Sequence, residues 1–99
     1  MPRILFTISY SVKPEQRETY LGLIGELKNH LTTVARKNYA VFEAKGKRNQ
    51  YMEVYFFQNQ EEFDALDDNQ DERTQELLSK VEECIDSSGK KYATFSELV

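Results

Sequence analysis

Glu53 stands between two tyrosines in the run Tyr51, Met52, Glu53, Val54, Tyr55, and in a strand that spacing puts all three on one face. A carboxylate held among aromatic side chains loses hydration and binds its proton more tightly, so it can accept a substrate proton or hold a donor in place. Tyr51 and Tyr55 supply ring faces and hydroxyls suited to an aromatic ligand. Thr7 and Ser9, two apart in an earlier alternating run, carry hydroxyls able to orient a carbonyl or phenol. His30 is the only histidine, a residue type suited to proton shuttling. Glu53 and His30 are therefore the candidate catalytic residues, and Thr7, Ser9, Tyr51 and Tyr55 the candidate substrate contacts. Each has a plainer alternative. Glu53 can be a structural carboxylate paired with an arginine or a tyrosine hydroxyl, the tyrosines can be packing groups, and His30 can be a structural residue at a helix boundary.

Composition excludes several other chemistries. The formal charge is −4, from 17 acidic and 13 basic side chains, which argues against a nucleic-acid surface. No run approaches the roughly eighteen apolar residues of a membrane span, and the first residues are strand-like without a long apolar leader core. The expectation is a cytoplasmic protein without membrane or nucleic-acid partners. One histidine and one cysteine give no metal-ligand cluster, Gly46 belongs to no phosphate loop, and no dinucleotide fingerprint is present. No cofactor or metal is expected. Cys84 falls on the apolar face of a helix and reads as a small buried hydrophobe. Lys45, Lys47 and Arg48 read as a solvated hairpin, and the acidic run from Glu61 to Glu72 as a solubilising surface that does not match an EF-hand.

The elements that would position these residues fit one domain over 1–99. Ile4, Phe6, Ile8, Tyr10 and Val12 alternate with Leu5, Thr7, Ser9 and Ser11, giving a first strand. Pro14 opens a helix to about Val34, with Tyr20, Ile24, Leu27, Leu31 and Val34 on its apolar stripe, widened by Leu21 and Leu23. Tyr10 and Tyr20 point into the helix-sheet core. Asn38–Lys45 and Tyr51–Gln58 form a hairpin around Gly46. Asn59 and Glu62 have capping-box spacing before Phe63 and Leu66. The acidic stretch Leu66–Glu72 breaks or bends the helical region, which resumes through Leu77, Leu78, Val81, Cys84 and Ile85 and stops at Ser87, Ser88 and Gly89. Lys91–Val99 is the last strand. The result is an α+β, ferredoxin-like β-α-β-β-α-β sandwich.

Helices cover one sheet face only. With Met52, Val54 and Phe56 assigned to the helices, Tyr51, Tyr55, Phe57 and Leu5 fall on the other face, too apolar to leave in water. A symmetric homodimer covers it, and the small Thr7, Ser9, Ala40 and Ala44 leave room for a pocket. At this point the opening strand ILFTISYSV, the Pro14-started helix ending at HLTTV and the stretch YMEVYFFQNQEEFDAL together resemble the dimeric α/β-barrel superfamily, particularly its antibiotic-biosynthesis-monooxygenase-like domains. The resemblance spans nearly the whole chain. It implies a homodimer whose ferredoxin-like units form a dimeric α/β barrel, with a pocket beside each sheet. Some such domains oxidise quinol-like or polyketide substrates without metal or flavin, while others degrade haem or isomerise small molecules. In many relatives a histidine follows the short helix's aromatic anchor, where this chain has Leu66 after Phe63. The haem-degrading set of asparagine, tryptophan and histidine is also missing, since the chain has no tryptophan and His30 belongs to the wrong helix.

The functional expectation is a homodimeric small-molecule-binding protein with an aromatic or apolar ligand. Two alternatives stand beside it. One is a cofactor-independent monooxygenase acting on a phenol or quinol; the other is a structural dimeric interaction module.

Overall fold

A computed structural model describes residues 2–66 and 71–99. In chain order it contains β1 (Ile4–Val12), a 3-10 turn (Pro14–Gln16), α1 (Arg17–Thr33), β2 (Asn38–Glu43), β3 (Gln50–Phe57), α2 (Gln60–Asp64), α3 (Glu72–Cys84) and β4 (Ile85–Ser96). The four strands make one antiparallel sheet in the order β2-β3-β1-β4, the ferredoxin-like arrangement read from the sequence. The barrel expectation is corrected. The sheet is open, with β2 and β4 as its two edges, and four strands do not close on themselves.

Helix α1 buries Tyr20, Ile24, Leu27 and Leu31, the three- and four-residue spacing that lays one apolar stripe on the sheet. Val34 and Leu21 do not join it: both are exposed, Val34 because the helix has ended at Thr33. Helix α3 buries Leu77, Val81 and Cys84 beside it. Cys84 is the expected buried hydrophobe, and burial pushes its thiol pKa up.

The short α2 is fixed by its cap. The Asn59 side chain accepts from the Glu62 N–H at 2.9 Å, and the Glu62 carboxylate accepts from the Gln58 N–H at 3.2 Å. Phe63 then packs on Phe57 and Phe6, with ring centroids 5.5 and 5.7 Å away. Asn59→Ala removes the first of these bonds and is expected to lower stability by about 1 kcal/mol, measurable as a shift of the urea midpoint at unchanged slope. The bend expected over Leu66–Glu72 lies largely outside the described residues. Beyond it, Asp71 caps α3 by accepting from the Thr74 N–H at 2.7 Å.

The end of α3 departs from expectation. Ser87, Ser88 and Gly89 do not stop a helix; the chain leaves Cys84 directly into β4. Val12 pairs with Ile85 and Tyr10 with Lys90, so Asp86, Ser87, Ser88 and Gly89 all stand opposite Ser11. This wide bulge is folded by the Asp86 carboxylate, which accepts from the Ser88 N–H at 2.9 Å, and by Gly89 at φ 79°. Serines and glycine look like a helix stop in sequence, and here they serve the bulge.

Register decides which side chains meet. Ile8 pairs with Glu53, Phe6 with Tyr55, Tyr10 with Tyr51 and Ile4 with Phe57. Tyr51, Glu53, Tyr55 and Phe57 therefore share the helix-covered face with Ile4, Phe6, Ile8 and Tyr10, the reverse of the assignment read from the sequence. Met52, Val54 and Phe56 lie on the open face.

Candidate functional site

The open face is built in three rows across the sheet. Phe56, Leu5 and Phe95 make one; Ala40, Val54, Thr7 and Ala93 the next; Phe42, Met52, Ser9 and Lys91 the third. The outer rows hold large side chains with 40–56% of their surface exposed at Met52, Phe56, Phe95 and Phe42. The small middle row is sunk between them, with Thr7 and Val54 buried. A wide trough of about 590 Å³ continues from this face toward the β4 bulge, past Ser9, Met52, Ser88 and Lys91. Its serine and lysine side chains are partly or fully exposed.

The chemistry lies on the other side. Between α3 and the sheet is a cleft of about 390 Å³ walled by Phe6, Ile8, Tyr55, Leu78, Val81 and Tyr92. Glu53 sits on its floor, 4% exposed. Tyr39, in the row on one side of it, donates its hydroxyl to Glu53 Oε1 at 2.5 Å. Tyr10, in the row on the other side, lies 2.8 Å from the Tyr20 hydroxyl and interacts electrostatically with Glu53. Burial raises the Glu53 pKa above the ordinary carboxylate value, opposed by the two tyrosines and by the positive charge of Lys90. The same burial holds the Tyr10, Tyr20 and Tyr39 hydroxyls well above the ordinary phenol value, and the charge of Glu53 adds to the effect. All three are thus neutral phenols at physiological pH.

At the mouth, Lys90 Nζ is 2.7 Å from Glu82 Oε2 and 5.7 Å from the Tyr92 ring centroid. That ion pair links β4 to α3 beside the opening. Hydrogen bonding to Glu82 keeps the Lys90 pKa raised.

The predicted residues are divided among four places. Glu53 and Tyr55 line the cleft, Tyr55 packed edge-on against Tyr39 with centroids 4.8 Å apart. Tyr51 shares their face but is committed elsewhere: its hydroxyl accepts from Arg17 at 2.7 Å, while Arg17 also grips Glu43 at 2.6 Å and Asn49 at 3.0 Å. The Arg17 guanidinium brings the Glu43 pKa down to about 2. Thr7 and Ser9 are on the open face, separated from Glu53 by the sheet. His30 joins the helices, its Nε2 2.9 Å from Asp71 Oδ2, and lines neither the cleft nor the trough. The Thr74 N–H and His30 together lower the Asp71 pKa to about 2.

The carboxylate's hydrogen-bond partner Tyr39 and its neighbours Tyr10 and Lys90 were not among the candidate site residues read from the sequence. Tyr10 and Tyr39 carry a signal only through strand pairing, because each is one row from Glu53. Lys90 carries none, since the bulge alone sets its position opposite Tyr10. Among the described residues no group of three or more histidine, cysteine, aspartate or glutamate side chains is arranged to hold a metal ion, and no helix is long and apolar enough to cross a membrane.

Neither a family model nor a curated protein matches this sequence. Solved structures do match. The fold is that of the antibiotic-biosynthesis-monooxygenase-like proteins, small ferredoxin-like domains, and the expected resemblance holds at that level. A conserved protein from Methanosarcina mazei Go1 superposes with a TM-score of 0.81 at 15% identity, over 99% of this chain and 95% of that one. A protein described as an antibiotic biosynthesis monooxygenase gives 0.78 at 12% identity, over 97% and 99%. A mutant of SnoaB, a cofactor-independent oxygenase from Streptomyces nogalater, gives 0.69 at 10% identity, over 94% and 90%.

Proposed function

We propose that this protein is a homodimeric binder of a small, largely apolar ligand, held in the cleft between α3 and the sheet. The carrying observation is a mostly apolar, aromatic-walled cleft with one buried carboxylate at its floor, the usual make-up of a small-molecule site. Leu66 also lines it. Where the family resemblance led one to expect a histidine, this chain therefore presents an apolar wall, which favours binding over catalysis. The dimer covers the open face, whose Phe42, Met52, Phe56 and Phe95 otherwise remain in water.

Native mass spectrometry of the purified protein tests both parts. The expected spectrum is a dimer carrying extra mass that is lost on gentle activation, and incubation with apolar aromatic compounds restores that mass to a stripped sample. A bare monomer that takes up none of them would defeat the reading.

A second reading follows from the buried base itself, on a fold shared with an oxygenase. Glu53 would take the proton of a phenol, and the electron-rich ring would reduce oxygen. One oxygen atom replaces a ring C–H as a carbonyl, the other leaves as water, and the phenol becomes a quinone, so the substrate supplies all four electrons. Oxygen uptake with electron-rich phenols and quinols is the measurement. A rate no higher than the uncatalysed one across the panel removes this reading.

A further inference from the structure

Glu53 is held as an acceptor by Tyr39. Tyr39 donates to it at 2.5 Å and Tyr10 flanks it from the next row, and burial keeps both phenols protonated. Once ionised, Glu53 presents an acceptor edge to the cleft, and a ligand group that displaces its proton must be a donor. Charge narrows the class further. Among the described residues, the charged groups of the cleft are Glu53, Glu82 and Lys90. Lys90 is committed to Glu82 at 2.7 Å, and no ion pair among those residues reaches Glu53. Among the described residues Glu53 is thus a buried carboxyl without a cationic partner, and burial alone favours its protonated form. A neutral hydroxyl donates to the ionised form without compensating its charge, whereas a cation does both. The walls suit a cation as well, since Tyr55 and Tyr92 bring aromatic rings to the cleft and Lys90 already places an ammonium over Tyr92.

We propose that the cleft takes a protonated amine on an apolar, aromatic-sized body, with the ammonium on Glu53 and the body against Phe6, Tyr55, Leu78 and Val81. The inference rests on the reading of this cleft as a small-molecule site and adds the ligand's chemical class. The buried carboxylate's increased hold on a proton expresses the same demand for positive charge, and the ammonium supplies it in the proton's place.

Three probes of nearly one shape test the class: tryptamine, its alcohol analogue indole-3-ethanol, and indole-3-propionate, each titrated calorimetrically into the full-length protein at pH 7.5. Tryptamine is expected to bind at least tenfold more tightly than the alcohol, and the carboxylate most weakly. In Glu53→Gln the amine should fall to the level of the alcohol. If that variant does not fold, acidifying the wild type substitutes for it. As Glu53 takes up its proton, within its surround of Tyr10, Tyr20, Tyr39, Tyr55, Lys90 and Glu82, tryptamine affinity must drop while that of the alcohol holds. Equal or tighter binding of the alcohol overturns the amine class and leaves the small-molecule site standing. An amine preference that survives Glu53→Gln overturns the proposed seat. No binding of any probe, even at millimolar concentration, defeats the amine inference and counts against the cleft itself.

Discussion

Phe56→Asp is expected to break the proposed dimer, with the association constant falling by at least about a hundredfold. Phe56 lies in the outer row of the open face, beside Leu5 and across β1 from Phe95, and is 43% exposed in the single chain. In a lone subunit Phe56 is close to half exposed, so the fold should lose less than the dimer does. In a face-to-face dimer it places an unpaired carboxylate against apolar side chains, which costs several kcal/mol, and each 1.4 kcal/mol is about a factor of ten in association. Met52→Asp in the opposite outer row should act in the same direction. Sedimentation velocity over a dilution series reads the result, with far-ultraviolet circular dichroism to confirm folding. A wild-type protein that sediments as a monomer throughout, or a folded Phe56→Asp protein that stays dimeric, would show that this face is not the interface.

The sheet and helices were legible because their patterns are strong. The alternation from Ile4 to Val12 and the stripe from Tyr20 to Leu31 each have one apolar solution, and the structure adopts both. Strand β3 has no such bias. Tyr51, Tyr55 and Phe57 on one side and Met52, Val54 and Phe56 on the other are both apolar, so alternation places residues on two faces without saying which face meets the helices. Only the pairing of Ile8 with Glu53 decides that, and pairing is a long-range fact that no local window contains. The same inversion explains the split candidate site. Thr7 and Ser9 were grouped with Glu53 as small and polar neighbours, and the register puts the sheet between them. The bulge was hidden for a related reason: Ser87, Ser88 and Gly89 suit a helix stop and a bulge equally, and the choice depends on where β1 captures Lys90. One sheet face does carry exposed large apolar side chains, and they are Phe42, Met52, Phe56 and Phe95 rather than the tyrosines.

The largest stability effect is expected at Glu53 itself, and its sign depends on what replaces it. Glu53→Ala takes the acceptor away from the buried Tyr39 phenol, while Tyr10 keeps the Tyr20 hydroxyl as its partner. A buried donor left without a partner costs about 1–3 kcal/mol, and the vacated volume adds to it, so a total loss of about 2–5 kcal/mol is expected. Glu53→Gln keeps an oxygen for Tyr39 and removes only the titration. The folded-state pKa of Glu53 lies above the reference value of 4.5 because burial disfavours the charged form. Below pH 4.5 the group is protonated in both folded and unfolded chains and contributes no pH dependence. As the pH rises past that value the unfolded chain releases its proton first, while the folded chain keeps its own, so stability falls with pH. Once the pH has passed the folded value as well, the loss is complete and constant. Glu43 and Asp71, both lowered to about 2, act in the opposite direction at acid pH, gaining stability above their unfolded values and losing it as the pH falls. They are present in both proteins and cancel in the comparison. Urea unfolding of wild type and Glu53→Gln at a series of pH values should therefore give curves that separate in favour of the glutamine variant as the pH rises from 4.5, then run parallel. Curves parallel from the start would mean that Glu53 titrates alike in folded and unfolded chains, and that burial does not raise its pKa.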